Sequence, residues 1–198
     1  MNFIAGFLFL AFEKSESLAF AVLKAVIARY RMQELFNTEL PMLKLHFYEL
    51  DRLIAILLPD LHTHFKEETI NSSYYSSSNF ITLFTSVLQM QTSSENAENL
   101  LRLWDHFLAK GWKSIFKASI AILKENEEAL LGMPFEVMLT QVVNLPTKFL
   151  ITPEKDVLKF DAALKQVRVP SMLLERLKKE FDTNFKLSGV IQAERGRV

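Results

Sequence analysis

Cysteine is absent from all 198 residues, which excludes a disulfide framework, thiolate zinc sites and thiol catalysis and agrees with an intracellular chain. Net charge is absent too. Twenty-three Lys and Arg face 23 Asp and Glu, so no global field draws in nucleic acid or an anionic membrane. The charges are mildly uneven: 11 basic and 7 acidic residues follow from Lys148 onward, against 12 and 16 before it. Solvated helix faces account for an asymmetry of that size. The chain has no G-x-x-x-x-G-K-[ST], G-x-G-x-x-G or G-x-S-x-G, and therefore no phosphate cradle or nucleophile elbow of known type. Its four histidines, His46, His62, His64 and His106, form no H-E-x-x-H, and the i, i+2 spacing of His62 and His64 points them to different sides of a helix. No metal site and no cofactor is expected.

Glycine and proline are scarce, at 5 and 6 residues, and no alternating β-branched run occurs. Leu, Phe, Ala, Lys and Glu dominate instead, which predicts an all-α fold. With 49% apolar residues, the chain can bury the core of one domain, or of a core with an appended helical piece.

The stretch Leu100–Leu123 is the most ordered pattern. Leu100, Leu101, Leu103, Trp104, Phe107 and Leu108 form a helical ladder that ends at Lys110. Gly111 follows, where a residue without Cβ tolerates positive φ. A second ladder restarts at once with Trp112, Ile115, Phe116, Ile120 and Leu123. Two apolar stripes with no loop between them must fold onto a shared core, so this hairpin is a predicted core element.

Around it, the apolar start MNFIAGFLFLAFEKSE lacks the basic n-region and cleavage site of a signal peptide. It is also shorter than the roughly 20 residues a membrane span needs. It reads as a buried helix, and a chain that opens inside a core helix is expected to be truncated or to start at an internal methionine. A second helix is predicted over Ser17–Arg31, with Ser15 or Ser17 as cap and Leu18, Ala21, Val22, Ala25, Val26 and Tyr30 on one face. A loop near Asn37 precedes a helix opened by Pro41, with the stripe Leu43, Phe47, Leu50, Ile54 and Leu57. Pro59 stops that helix and opens a short one. The stretch NSSYYSSSN, 71–79, reads as a loop, and Phe80, Ile81, Leu83, Phe84, Val87 and Leu88 as a further helix. Ser93 or Ser94 is the expected cap before the hairpin, with Glu95 to Glu98 placing acid at its start. A helix over Phe135–Val143, a connector bracketed by Pro146 and Pro153, helices over Glu154–Val167 and Ser171 to about Phe185, and a frayed Ser188–Val198 complete the chain.

Tyr74, Tyr75 and Asn79, in or beside the serine-rich loop, are the candidate partner-binding residues, because aromatic loop residues are frequent anchors. Asp105 has the form of a catalytic carboxylate. Arg102 lies within i, i+3 reach, however, so a structural ion pair is the expected role.

Several motifs occur together: MNFIAG at the start, P-x-L-x-x-H-F at Pro59, Leu61, His64 and Phe65, FITLF, and L-L-R-L-W-D-H-F-L-A-K-G-W-x-x-I-F-K-x-x-I-A-I-L. Together they resemble the C-terminal half of the TBC domain of Rab GTPase-activating proteins. The most specific element is R-x-W-D with Gly111 six residues on. Resemblance is good from Met1 to about Leu131 and extends more weakly through the last helices; Asn79 departs from it, standing where the family usually has tryptophan. It implies a multi-helix orthogonal array, with residues 1–150 as the C-terminal TBC-like subdomain and 151–198 as a helical extension packed on it or continuing it. It also implies structural roles for Asn2, Gly6, Arg102, Trp104, Asp105 and Gly111. The implied partner is a Rab-type small GTPase, engaged through the complete domain. The implied setting is vesicle traffic, in the cytoplasm or peripherally on organelle membranes.

In that family an arginine from I-x-x-D-x-x-R and a glutamine from Y-x-Q serve the bound GTPase as catalytic fingers. No aspartate here has Ile at −3 and Arg at +3, and no tyrosine has Gln at +2. The chain alone is therefore expected to be a GTPase-activator fragment that accelerates nothing. The other reading of the same helices is a non-catalytic scaffold or interaction module.

Overall fold

The reversal at Gly111 organises the array. Helix α6 (Glu98–Lys110) ends there and α7 (Trp112–Glu125) begins on the next residue. Gly111 sits at φ 66°, ψ −150°, a region essentially reserved for glycine. A Cβ at this position would lie 3.4 Å from the Tyr30 ring. Helix α7 is the central element. Nine of its 14 residues are buried, among them the small side chains Ser114, Ala118, Ser119 and Ala121, where neighbouring helices can come close.

The computed structural model describes residues 1–90, 97–151 and 157–195, with side chains described through residue 184 except at Met90. Eleven α-helices and two 3-10 segments make up these residues, and no strand occurs among them. The fold is all-α, as the composition requires. Helices α1 (Asn2–Ala11) and α2 (Glu16–Arg29) form an N-terminal pair, and a 3-10 segment (Met32–Leu35) leads to α3 (Pro41–Leu57). Pro41 opens α3, and Pro59 opens α4 (Pro59–Glu67) directly after it. Helix α5 (Ser72–Thr82) packs on α3 and on α9 (Phe135–Leu150). The short α8 (Glu127–Leu131) leads from α7 towards α9, α10 (Val157–Gln166) lies against α6 and α7, and α11 (Ser171–Arg195) lies against α3.

Several expectations need correction. The serine-rich stretch is helix α5, because its polar side chains satisfy local backbone groups instead of competing with the helix. Asn71 Oδ1 accepts from the Ser73 amide at 3.0 Å. Ser76, Ser77 and Thr82 donate to the carbonyls four residues earlier, at 2.6, 2.6 and 2.7 Å. The helix expected across Phe80–Leu88 breaks at Leu83 and Phe84, both at positive φ, and continues as a 3-10 segment over Thr85–Met90. Pro146 lies inside α9 instead of ending it, and α11 runs to Arg195 without stopping near Phe185. Ala97 caps α6, with Glu98 in its first turn; Ser93, Ser94 and Glu95 lie outside the described residues, as does Pro153.

The N-terminal helices are covered on one side only. Ile4, Phe7 and Leu8 of α1 are buried, whereas Phe3 and Leu10 are exposed, and so are Leu18 and Phe20 of α2. Leu101 and Leu108 lie at the edge of the α6 ladder, 43% and 39% exposed, while Leu100, Leu103, Trp104 and Phe107 are buried. The Trp104 ring lies tilted 4.9 Å from Phe7 and edge-on 5.8 Å from Phe107, and its Nε1–H donates to Leu83 O at 3.2 Å. The indole therefore closes the left-handed turn that ends α5.

Replacing Trp104 by Ala should cost on the order of 3–5 kcal/mol, and Gly111→Ala about 1–3 kcal/mol from backbone strain. Thermal denaturation of both variants measures this; a midpoint unchanged in Trp104→Ala would contradict its place in the core.

Candidate functional site

The residues of the R-x-W-D hairpin divide between packing and charge. Trp104 faces the core. Arg102, on the other side of α6, reaches across to α10, where its Nε–H lies 3.1 Å from both Asp161 oxygens and its Nη2–H donates to Asp161 Oδ2 at 2.7 Å. His106, one turn further along α6, donates from Nε2 to Asp161 Oδ1 at 2.8 Å. Asp161 is 9% exposed and survives as a charge because these donors converge on it. The Arg102 hydrogen bonds hold its carboxyl well below the usual range against the opposing effect of burial, and His106 adds to the effect. The Arg102 guanidinium is correspondingly raised, chiefly by its hydrogen bonds to Asp161.

Asp105 does approach Arg102, but at 3.8 Å and on an exposed side chain. The expected i, i+3 pair is thus the minor contact of this arginine. Asp161 had no signal in the sequence, since 59 residues separate it from Arg102 and a helical periodicity reports only neighbours on its own helix.

The three candidate contact residues do not share an environment. Tyr74 is 54% exposed and lines an open cleft of about 380 Å³ with Glu67, Glu68, Thr69 and Phe135. The Phe135 amide donates to Glu68 Oε2 at 2.8 Å in the same place. Tyr75 and Asn79 are buried on the inner face of α5, which corrects their expected exposure: the helix turns successive residues by about 100°, so neighbours in sequence part company. Burial pushes the Tyr75 hydroxyl well above its ordinary range. Asn79 Nδ2 lies 3.4 Å from Tyr75 O.

Asn2 and Gly6 are exposed, and no heavy atom lies within 4 Å of where a Gly6 Cβ would stand. Neither fills a packing role among the described residues. Gly111 does, through the close approach of Tyr30. Among the described residues no group of three or more His, Cys, Asp or Glu could hold a metal ion, and no helix is long and apolar enough to cross a membrane.

Comparison with known proteins adds the family. The sequence model of the Rab-GTPase-TBC domain matches residues 1–131. Over 181 residues the chain is 31% identical to the ecotropic viral integration site 5 ortholog of Drosophila melanogaster, covering 91% of this chain and 21% of that protein. It is 33% identical over 186 residues to the Rab GTPase-activating protein eat-17 of Caenorhabditis elegans, covering 91% and 19%. With the GTPase-activating protein GYP5 of Saccharomyces cerevisiae the identity is 30% over 139 residues, covering 70% and 15%. The chain spans about a fifth or less of the length of these relatives.

Asp161→Asn should destabilise the protein by on the order of 1–2 kcal/mol, the range for hydrogen bonds to a charged group with one partner partly in solvent. The folded carboxyl titrates below its ordinary value of 3.8, so its contribution is fully present above that value and is lost as pH falls through the depressed folded value. The difference in melting temperature between wild type and variant should hold near neutral pH and narrow below about pH 4. A constant difference down to pH 2.5 would contradict this account.

Proposed function

The chain belongs to the Rab-GTPase-TBC domain family, and from that premise we propose that it forms the C-terminal helical part of a GTPase-activating protein for Rab small GTPases, supporting the fold and part of the GTPase-docking surface. The observation that carries this reading is the pairing of a family match over residues 1–131 with the lack of both finger motifs anywhere in the 198 residues. Hydrolysis on a GTPase needs a cation at the developing phosphoryl charge and a group that orients the attacking water. An arginine finger alone contributes about 10³–10⁵ in rate.

The arginine of the best-marked motif does not replace that finger. Arg102 is held by Asp161 through three N–H···O contacts, and a guanidinium so neutralised has little positive charge left to offer a phosphoryl group. The GTPase partner, a role in vesicle traffic and action in the cytoplasm or peripherally on organelle membranes come with the same reading. Tyr74, the exposed member of the three α5 candidates, is the contact residue it retains. The C-terminal helical extension packs on residues 1–150 or continues them in this view, supported by the burial of Phe160, Leu164, Val167, Val169 and Leu177.

The 198-residue chain, incubated with a panel of GTP-loaded Rab proteins, should leave the rate of phosphate release at its intrinsic value. Stimulation of any member well above that rate would overturn the finger argument.

A further inference from the structure

A cavity of about 340 Å³ opens between the end of α2, α3, the Gly111 turn and α11, within the range of small-ligand sites. Its walls are apolar and aromatic, with Tyr30, Met42, Leu45, Trp112, Phe116 and Leu174. Two ionisable side chains, His46 and Glu49, line it while being only 3% and 5% exposed. His46 Nδ1 donates to Glu49 Oε2 at 2.9 Å. The His46 ring lies 4.4 Å from Trp112 and 5.3 Å from both Phe80 and Phe116, and its Nε2 is buried with no hydrogen-bond partner. The Nδ1–H of His46 is thus the hydrogen bond that Glu49 receives from this ring, and Nε2 makes none. Among the described residues no Lys or Arg nitrogen lies within 4 Å of this carboxylate, and His46 is its one ion-pair partner.

A carboxylate this deeply buried beside one histidine and no Lys or Arg is under-compensated, since buried charges in folded proteins are normally paired. We propose that the cavity is a binding site for a monovalent organic cation, a guanidinium or ammonium group on an apolar stem, with the head on Glu49 and the stem or cation face against Trp112; the Tyr30 ring already carries the Arg29 guanidinium, 5.8 Å from its centroid. Aromatic faces attract such cations most strongly where water is excluded. The mouth sets the shape of the ligand. Arg31 is paired with Glu34 there, which leaves Arg29 and Lys178 against Glu175 among the lining charges. That positive edge repels a polyvalent cation more strongly than a monovalent one, and the apolar wall favours a head carried on an apolar stem. The same chemistry is available from a free small amine and from an arginine or lysine side chain of a partner protein.

The test is titration of the full chain in a Trp104→Phe background, so that fluorescence reports on Trp112 alone. The probes are n-butylguanidinium, Nα-acetyl-arginine amide and the neutral isostere n-butylurea. Saturable binding of n-butylguanidinium is expected in the millimolar range or tighter, with n-butylurea weaker by about tenfold or more. Binding of the arginine amide as well assigns the site to a partner's side chain; its exclusion while n-butylguanidinium binds assigns it to a free amine. Glu49→Gln should abolish the preference for the cation over the urea. Lys178→Glu, at an exposed position, keeps the test open if Glu49→Gln does not fold, and should tighten n-butylguanidinium several-fold. Absence of saturable binding by both cations, equal binding of the urea, or an unchanged affinity in Lys178→Glu would overturn the proposal.

Discussion

Tyr30 interlocks with the Gly111 turn at three points. Its ring lies where a Cβ on Gly111 would touch it, its hydroxyl donates to Leu108 O at 2.8 Å, and its carbonyl accepts from Trp112 Nε1 at 3.0 Å. The ring also packs 4.4 Å from Phe107. The Tyr30 hydroxyl thus satisfies an end-of-helix carbonyl on α6, where helix termini leave acceptors without intrahelical partners, and the Tyr30 carbonyl holds the indole of the first residue of α7. The backbone at Gly111 makes this possible, because a residue with a Cβ would be strained at its φ and ψ. The end of α2 is held in place by the same contacts, and the wall of the cavity beside Trp112 follows from them.

Charge then ties the C-terminal helices to this frame. Arg102 and His106, one turn apart on α6, converge on Asp161 of α10. The cost of burying an aspartate is offset by charge-assisted donors aimed at both its oxygens. The arrangement also bears on function, since the arginine of the family's best-marked motif is committed to a structural contact. Under the proposed reading, this contact and the lack of an I-x-x-D-x-x-R and a Y-x-Q in the chain separate holding the fold from the chemistry of GTP hydrolysis.

Local physics explains where the sequence misled. The serine-rich stretch has a loop composition, yet two of its hydroxyls, and that of Thr82 further along the same helix, bond to carbonyls one turn back and Asn71 caps the start. These are the same local hydrogen bonds that make serine a loop former elsewhere. Which way they act depends on packing, and Tyr75 and Phe80 bury the inner face of α5 against the core. Pro146 is tolerated inside α9 in the same sense: the loss of one backbone bond is outweighed where Leu145, Phe149 and Leu150 are buried beside it.

The sequence by itself determined the helical class, the Gly111 reversal, the proline starts of α3 and α4, and the family, because periodicity, backbone restriction and motif spacing are local properties written in consecutive residues. It also determined that neither finger motif is present. Tertiary structure alone decided that Arg102 belongs to Asp161 more than to Asp105, that Tyr75 and Asn79 face inward while Tyr74 faces out, and that His46 and Glu49 come together with Trp112 at one cavity. Those pairings join residues dozens of positions apart, and no period along one helix encodes which other helix will lie against it.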